Sequence, residues 1–122
     1  MAFITDEAYD QGLDYLDTNG TRVDICSQEP TTYTEAVTTY SLGNKTGLNT
    51  GATVAGAVDG RRVIVPAITD GSVTGTGTAT HWALTDGATL RLATGPLTSS
   101  QAVTNGNTFT LDAISITFRD AT

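Results

Sequence analysis

Ser-Val-Thr-Gly-Thr-Gly-Thr-Ala-Thr-His-Trp-Ala-Leu-Thr-Asp-Gly-Ala-Thr-Leu-Arg-Leu-Ala-Thr, residues 72 to 94, alternates in polarity from one residue to the next. That is the repeat of a β-strand, whose successive side chains leave opposite faces. Thr74, Thr76, Thr78, Thr80, Trp82 and Leu84 then share one face, and Gly75, Gly77, Ala79, His81 and Ala83 the other. Asp86-Gly87 marks a turn, after which Leu90 and Leu92 resume the alternation. A loop of Thr85-Asp86-Gly87 pairs Trp82 with Leu90, Thr80 with Leu92 and Leu84 with Ala88, and leaves His81 opposite Arg91. It also seats Gly87 in a left-handed conformation, where lacking a Cβ removes the steric penalty. A slip of one residue would turn both Trp82 and Leu84 to water, so their burial together tests this register.

The chain around this hairpin has 122 residues, the size of a single domain (1–122), with 1–20 a helical segment and 21–122 β-structure. Hydrophobic residues make up 39% and charged ones only 16%, with 13 glycines, which suits strands joined by many turns. The formal net charge of −7 repels a phosphate backbone, so no nucleic-acid partner is expected. No stretch approaches the roughly 20 apolar residues of a membrane helix, and the start from Met1 to Glu7 lacks the basic and apolar regions of a signal peptide. No membrane partner is expected, and synthesis and folding are expected in a reducing cytoplasm. The single Cys26 forms neither an intramolecular disulfide nor a metal cluster alone.

Residues 5 to 18 read as an amphipathic helix. Thr5 is an N-cap, Asp6 and Glu7 occupy the positive first turn, and Tyr9, Leu13 and Leu16 line one face. Asn19-Gly20 stops it. The opposite face carries Asp10, Asp14 and Asp17 with no basic partner, either a solvated face or a docking row for a basic patch on another protein. Thr21 to Ser27 reads as a strand with Val23 and Ile25 inward and Arg22 and Asp24 outward; Glu29-Pro30 breaks it. Thr32 and Glu35 have capping-box spacing, which predicts a short helix to about residue 39. A strand over Tyr40 to Lys45 precedes a Gly-, Ala- and Asn-rich loop with a marginal strand at most.

Arg61 to Ile68, after a turn at Asp59-Gly60, is apolar on both faces, and Pro66 pushes it toward a sheet edge. Gly95-Pro96 is a turn; 101–104 and 108–119 form a last hairpin around Asn105-Gly106-Asn107. In its second strand Phe109 and Leu111 are odd-numbered but Ile114, Ile116 and Phe118 even-numbered. A bulge, or a strand bending from one sheet to another at Asp112-Ala113, keeps both sets inside. These elements predict a mainly β fold: an antiparallel β-sandwich of about seven or eight strands, with the N-terminal helix over an end or an edge and a small barrel as the competing architecture.

Chemistry is sparse. His81 and Cys26 are the only residues of their types, no serine sits in a nucleophile elbow, and the acids lack calcium-loop spacing, so no catalytic residue, cofactor or metal is expected. Gly43-Asn44-Lys45-Thr46 fails the phosphate-loop spacing. The Gly75, Gly77, Ala79 row is either a frayed strand start or a flat interface for a neighbouring subunit.

Several segments together carry a resemblance: Tyr15-Leu16-Asp17-Thr18-Asn19 at the helix end, Asp24-Ile25-Cys26-Ser27-Gln28-Glu29-Pro30-Thr31-Thr32-Tyr33, Val65-Pro66-Ala67-Ile68-Thr69-Asp70-Gly71, Ala79-Thr80-His81-Trp82-Ala83-Leu84 and Ser99-Ser100-Gln101-Ala102-Val103-Thr104. In these the chain resembles small structural proteins of tailed bacteriophages and prophages. The resemblance implies a virion component, a head decoration or cement protein that is multimeric, a trimer being one such state. Its partners would be the major capsid protein or other virion proteins, and it supplies no catalytic residue. The competing class is a neck, tail or fibre module that binds a receptor or carbohydrate, for which Tyr33, Tyr40 and Trp82 would be stacking surfaces.

Overall fold

Leu13 and Leu16 lie one helical turn apart and both are buried, on a helix, α1, that spans Asp6–Asn19 in a computed structural model describing residues 6–50, 53–55 and 60–118. They pack on Val63, and Leu92 and Ile116 touch both this cluster and the main core, so α1 closes one end of a single interior. The helix stops where the Gly20 N–H bonds the Leu16 carbonyl at 2.6 Å; a Cβ on Gly20 would crowd that oxygen and Leu84. The Thr5 cap and the side chain of Tyr9 lie outside the described residues.

Among the described residues nine strands follow: β1 Arg22–Cys26, β2 Ser41–Lys45, β3 Val54–Ala55, β4 Arg61–Val65, β5 Ile68–Val73, β6 Gly77–Thr85, β7 Arg91–Val103, β8 Thr108–Leu111 and β9 Ile114–Phe118. Six form a curled antiparallel sheet in the order β7-β6-β1-β2-β5-β8, and three form a second sheet in the order β3-β4-β9. The architecture is therefore the antiparallel β-sandwich with one helix that the alternation predicts, its core built from Val23, Ile25, Val65, Ile68, Val73, Leu84 and Phe109.

The parity break at Asp112-Ala113 is a sheet switch, the second of the two irregularities its phase allows. Leu111 belongs to β8 in the large sheet and Ile114 to β9 in the small one. Across from it the chain makes the same switch at Pro66-Ala67, with Val65 opposite Ile114 and Ile68 opposite Leu111. One register thus runs around the corner, and β4-β5 with β8-β9 form a single bent ribbon. Pro66 lies at this corner between two strands, and β4 is the middle strand of its sheet, so the expected edge strand is corrected. A proline without an N–H is tolerated because pairing lapses at the bend.

The central hairpin differs from its predicted register. Trp82 lies opposite Gly95 and Leu84 opposite Ala93, not Leu90 and Ala88, and His81 faces Pro96, not Arg91. The cause is a longer loop, Asp86–Leu90: the Asp86 Oδ1 accepts the N–H groups of Ala88, Thr89 and Leu90 at 2.8–2.9 Å, and the Asp86 N–H closes onto the Leu90 carbonyl. Those amides, Leu90 first, hold the Asp86 carboxyl below its usual value. Gly87 has the left-handed φ of 75° that was expected. Gly95-Pro96 lies inside β7 and makes no turn. Leu84 is fully buried while Trp82 is half-buried.

In the glycine row, the placement of Ala79 on the face of Gly75 and Gly77 is corrected. Between Ala79 and His81 the β6–β7 register shifts and the phase of β6 turns over, so Ala79 joins Leu84 in the core with 0% exposure. Gly75 and Gly77 lie against Leu42 of β2, where a Cβ on Gly77 would sit 3.3 Å from its side chain. Both stay partly exposed. The last hairpin does not form either: β8 pairs with β5, and β7 stands at the far end of the sheet order.

Candidate functional site

Two places in the fold gather polar chemistry. The first is the outer face of β1, one of the two middle strands of the large sheet, paired on both sides. Asp24, expected outward, has 0% exposure. The segment 31–40 folds back over this face, held by Thr32, whose hydroxyl accepts the Glu35 N–H, and by Glu35, whose carboxylate accepts from the Thr31 N–H and hydroxyl. The predicted short helix closes as a π-helical turn, Glu35–Thr39, with the Tyr40 N–H reaching the Glu35 carbonyl. Beneath it the Arg22 guanidinium grips Asp24 with two bonds, 2.7 and 2.9 Å, and the Ser41 hydroxyl donates a third at 2.6 Å. The pairing raises the guanidinium's already high pKa, so Arg22 stays charged.

Cys26 and His81 are cross-strand partners on this face. The Thr80 hydroxyl donates to the Ser27 carbonyl, so toward His81 it accepts, which assigns the proton on the ring to Nδ1, 2.9 Å away. The Cys26 thiol is fully buried against Ala36, and burial, then the Asp24 charge, pushes it up to about 12. A thiol held protonated at neutral pH is a poor nucleophile. Its ordinary value is 9.0, so the unfolded chain ionises first. The folded state's advantage is complete below about pH 9 and is lost as pH rises toward about 12, at up to about 1.4 kcal/mol per pH unit. Denaturant midpoints taken across that range should fall less steeply for Cys26→Ala than for the parent; parallel curves would contradict the assignment.

The second place is a cleft of about 400 Å³ between β7 and the β8–β9 corner. Trp82 and Leu97 form apolar walls with Leu111 and Ile114, and Gln101 and Asp112 stand on the polar side. Trp82 reaches it because Gly95 lies opposite: a Cβ there would be 2.9 Å from the indole. The β7 segment 97–100 bulges away from β6, since Gln101 pairs with Ala79 and Pro96 with His81. The Gln101 Nε2 donates to the Thr110 carbonyl at 2.8 Å across the cleft. A half-buried tryptophan, a carboxylate and open strand edges can bind a ligand or a chain segment.

The acidic helix row is not a uniform stripe. Asp10 is paired with Arg61 at 2.8 Å, and Asp17 accepts the Thr50 hydroxyl at 3.2 Å, which corrects the expectation of a row without a basic partner. Asp14 points to solvent beside Tyr15, itself 49% exposed. None of the predicted interface residues, Gly75, Gly77, Ala79, Asp10, Asp14 and Asp17, lines the cleft. Of the cleft residues the sequence singles out only Trp82 and the break at Asp112-Ala113. Gln101, Thr110 and Leu97 come together through non-local pairing, and the one local hint is the Gly95-Pro96 pair inside a 13-residue strand.

Among the described residues no group of three His, Cys, Asp or Glu side chains converges to hold a metal ion, and no helix is long and apolar enough to cross a membrane. The class defined by fold and site is a small antiparallel β-sandwich with a helix over one end of its core and a cleft between two sheet edges. No protein family, curated protein or solved structure matches the chain.

Proposed function

We propose that this chain is a non-enzymatic structural protein of a tailed-bacteriophage virion, a capsid decoration or cement protein that binds the head surface and neighbouring subunits. The observation that carries the reading is the unclosed six-stranded sheet, whose two end strands flank a cleft. Unpaired strand edges are a means of joining one chain to another. The sequence resemblance supplies the virion context. The net charge of −7 supports it further, because an acidic exterior is repelled by packaged DNA and attracted to a basic capsid surface. The inert Cys26 thiol accords with a building block that makes and breaks no bonds.

Fractionating particles from the strain that encodes the chain tests this. The chain should copurify with heads in stoichiometric amount, and heads made without its gene should lose integrity at lower temperature. Absence from the particles would contradict the reading. The mass of the isolated protein tests self-association, with a trimer the expected cement form.

A second reading, a fibre- or tail-associated module that binds carbohydrate, is favoured by one observation: half-buried Trp82 lines a cleft that also presents Asp112 and Gln101. Stacking of sugar on Trp82 would shift its emission.

A further inference from the structure

The six-stranded sheet curls but does not close. β7 and β8 are its two ends and are joined by the turn at Thr104, Asn105, Gly106 and Asn107, yet they stay mostly more than 8 Å apart. Paired strands lie about 4.8 Å apart, so β7 and β8 leave a gap between them along most of their length. What crosses it is a side chain, the Gln101 amide donating to the Thr110 carbonyl of β8. A glutamine amide is chemically a peptide group. It occupies a β8 carbonyl that the N–H of an added strand could take.

We propose that the gap between β7 and β8 receives an extended segment of a partner protein, which displaces the Gln101 amide and closes the sheet. Every neighbouring pair in the sheet is antiparallel, so β7 and β8 run in opposite directions and the added strand is parallel to one and antiparallel to the other. Its inward side chains are apolar and meet Trp82, Leu97 and Ile114. Its outward ones are basic, because Asp112 is the charged group at the cleft and the chain as a whole carries −7. That the partner is a capsid protein rests on the proposed virion role; the slot itself does not.

Trp82 is the only tryptophan, so its emission reports the cleft directly. The probes are a synthetic peptide alternating valine with lysine, the same peptide with glutamate for lysine, and maltohexaose. The valine–lysine peptide should shift Trp82 emission and protect amides of 97–103 and 108–111 from hydrogen exchange, and the glutamate peptide should bind at least about tenfold more weakly. Gln101→Ala should tighten binding about fivefold by removing the competing amide, whereas Asp112→Lys should weaken it by a similar factor. Both positions lie at the cleft and outside the core, so both variants should melt with the parent. Weaker binding by Gln101→Ala, equal binding of the two peptides, or a response to maltohexaose alone would overturn the proposal. So would attachment to heads without new protection at β7 and β8, which leaves the decoration role standing. Peptide binding with protected edges but no attachment to heads sustains the slot and removes the decoration role.

Discussion

Asp24→Ala should lower the free energy of unfolding by about 3 kcal/mol, close to the cost of breaking other buried ion pairs from one side. Its carboxylate is fully buried under the π-helical turn and accepts two bonds from Arg22 and one from Ser41. Removing it leaves a guanidinium at 22% side-chain exposure with its charge uncompensated, and leaves the Ser41 hydroxyl only the Gly43 carbonyl, 3.3 Å away. The expected loss is therefore larger than the loss of the pair itself. Replacing both partners by apolar residues, Arg22→Met with Asp24→Leu, should recover much of it, since the pair's net contribution against a well-packed apolar substitute is small. Urea midpoints of the three variants decide this, and a loss below about 1 kcal/mol for Asp24→Ala would contradict the burial of the carboxylate.

Phe109→Ala should cost about 3–5 kcal/mol, the range for deleting a buried aromatic side chain. The ring is 2% exposed and lies over Gly71, its cross-strand partner on β5, with an edge 3.2 Å from where a Cβ on Gly43 would be. A Cβ on Gly71 would overlap the ring outright. Gly71→Ala alone should then cost about 1–3 kcal/mol by overpacking. In the double variant the added methyl enters the vacated space, so the two losses should sum to more than the measured total. Additive losses would show that the ring does not rest on Gly71. Trp82 over Gly95 repeats the arrangement on β6 and β7, so a large aromatic lies across a glycine near each edge of the sheet.

These pairs also mark what the sequence makes legible. Local pattern sufficed for α1, because Leu13 and Leu16 need only one helical turn to meet a common surface. It sufficed for an irregularity at Asp112-Ala113, because Phe109 and Ile116 differ in parity and an unbroken strand would send them to opposite faces; that the break is a sheet switch and not a bulge is decided by non-local pairing. It failed for the hairpin register. The Asp86 carboxylate stabilises a longer loop by taking three amides, a side-chain preference that outweighs matching apolar residues across the strands. It failed for Asp24, since alternation alone assigns that residue outward and carries no sign of the 31–40 segment folding over it. The cleft was illegible for a related reason: Trp82, Gln101 and Asp112 meet only after six strands have curled far enough to bring both ends of the sheet together.

A density map of the assembled particle, at a resolution that traces β-strands, decides whether the chain is a head decoration protein. This sandwich should appear on the outer surface of the head, with an extended segment of a neighbouring virion protein lying between β7 and β8. Particles that contain no copy of the chain would contradict it.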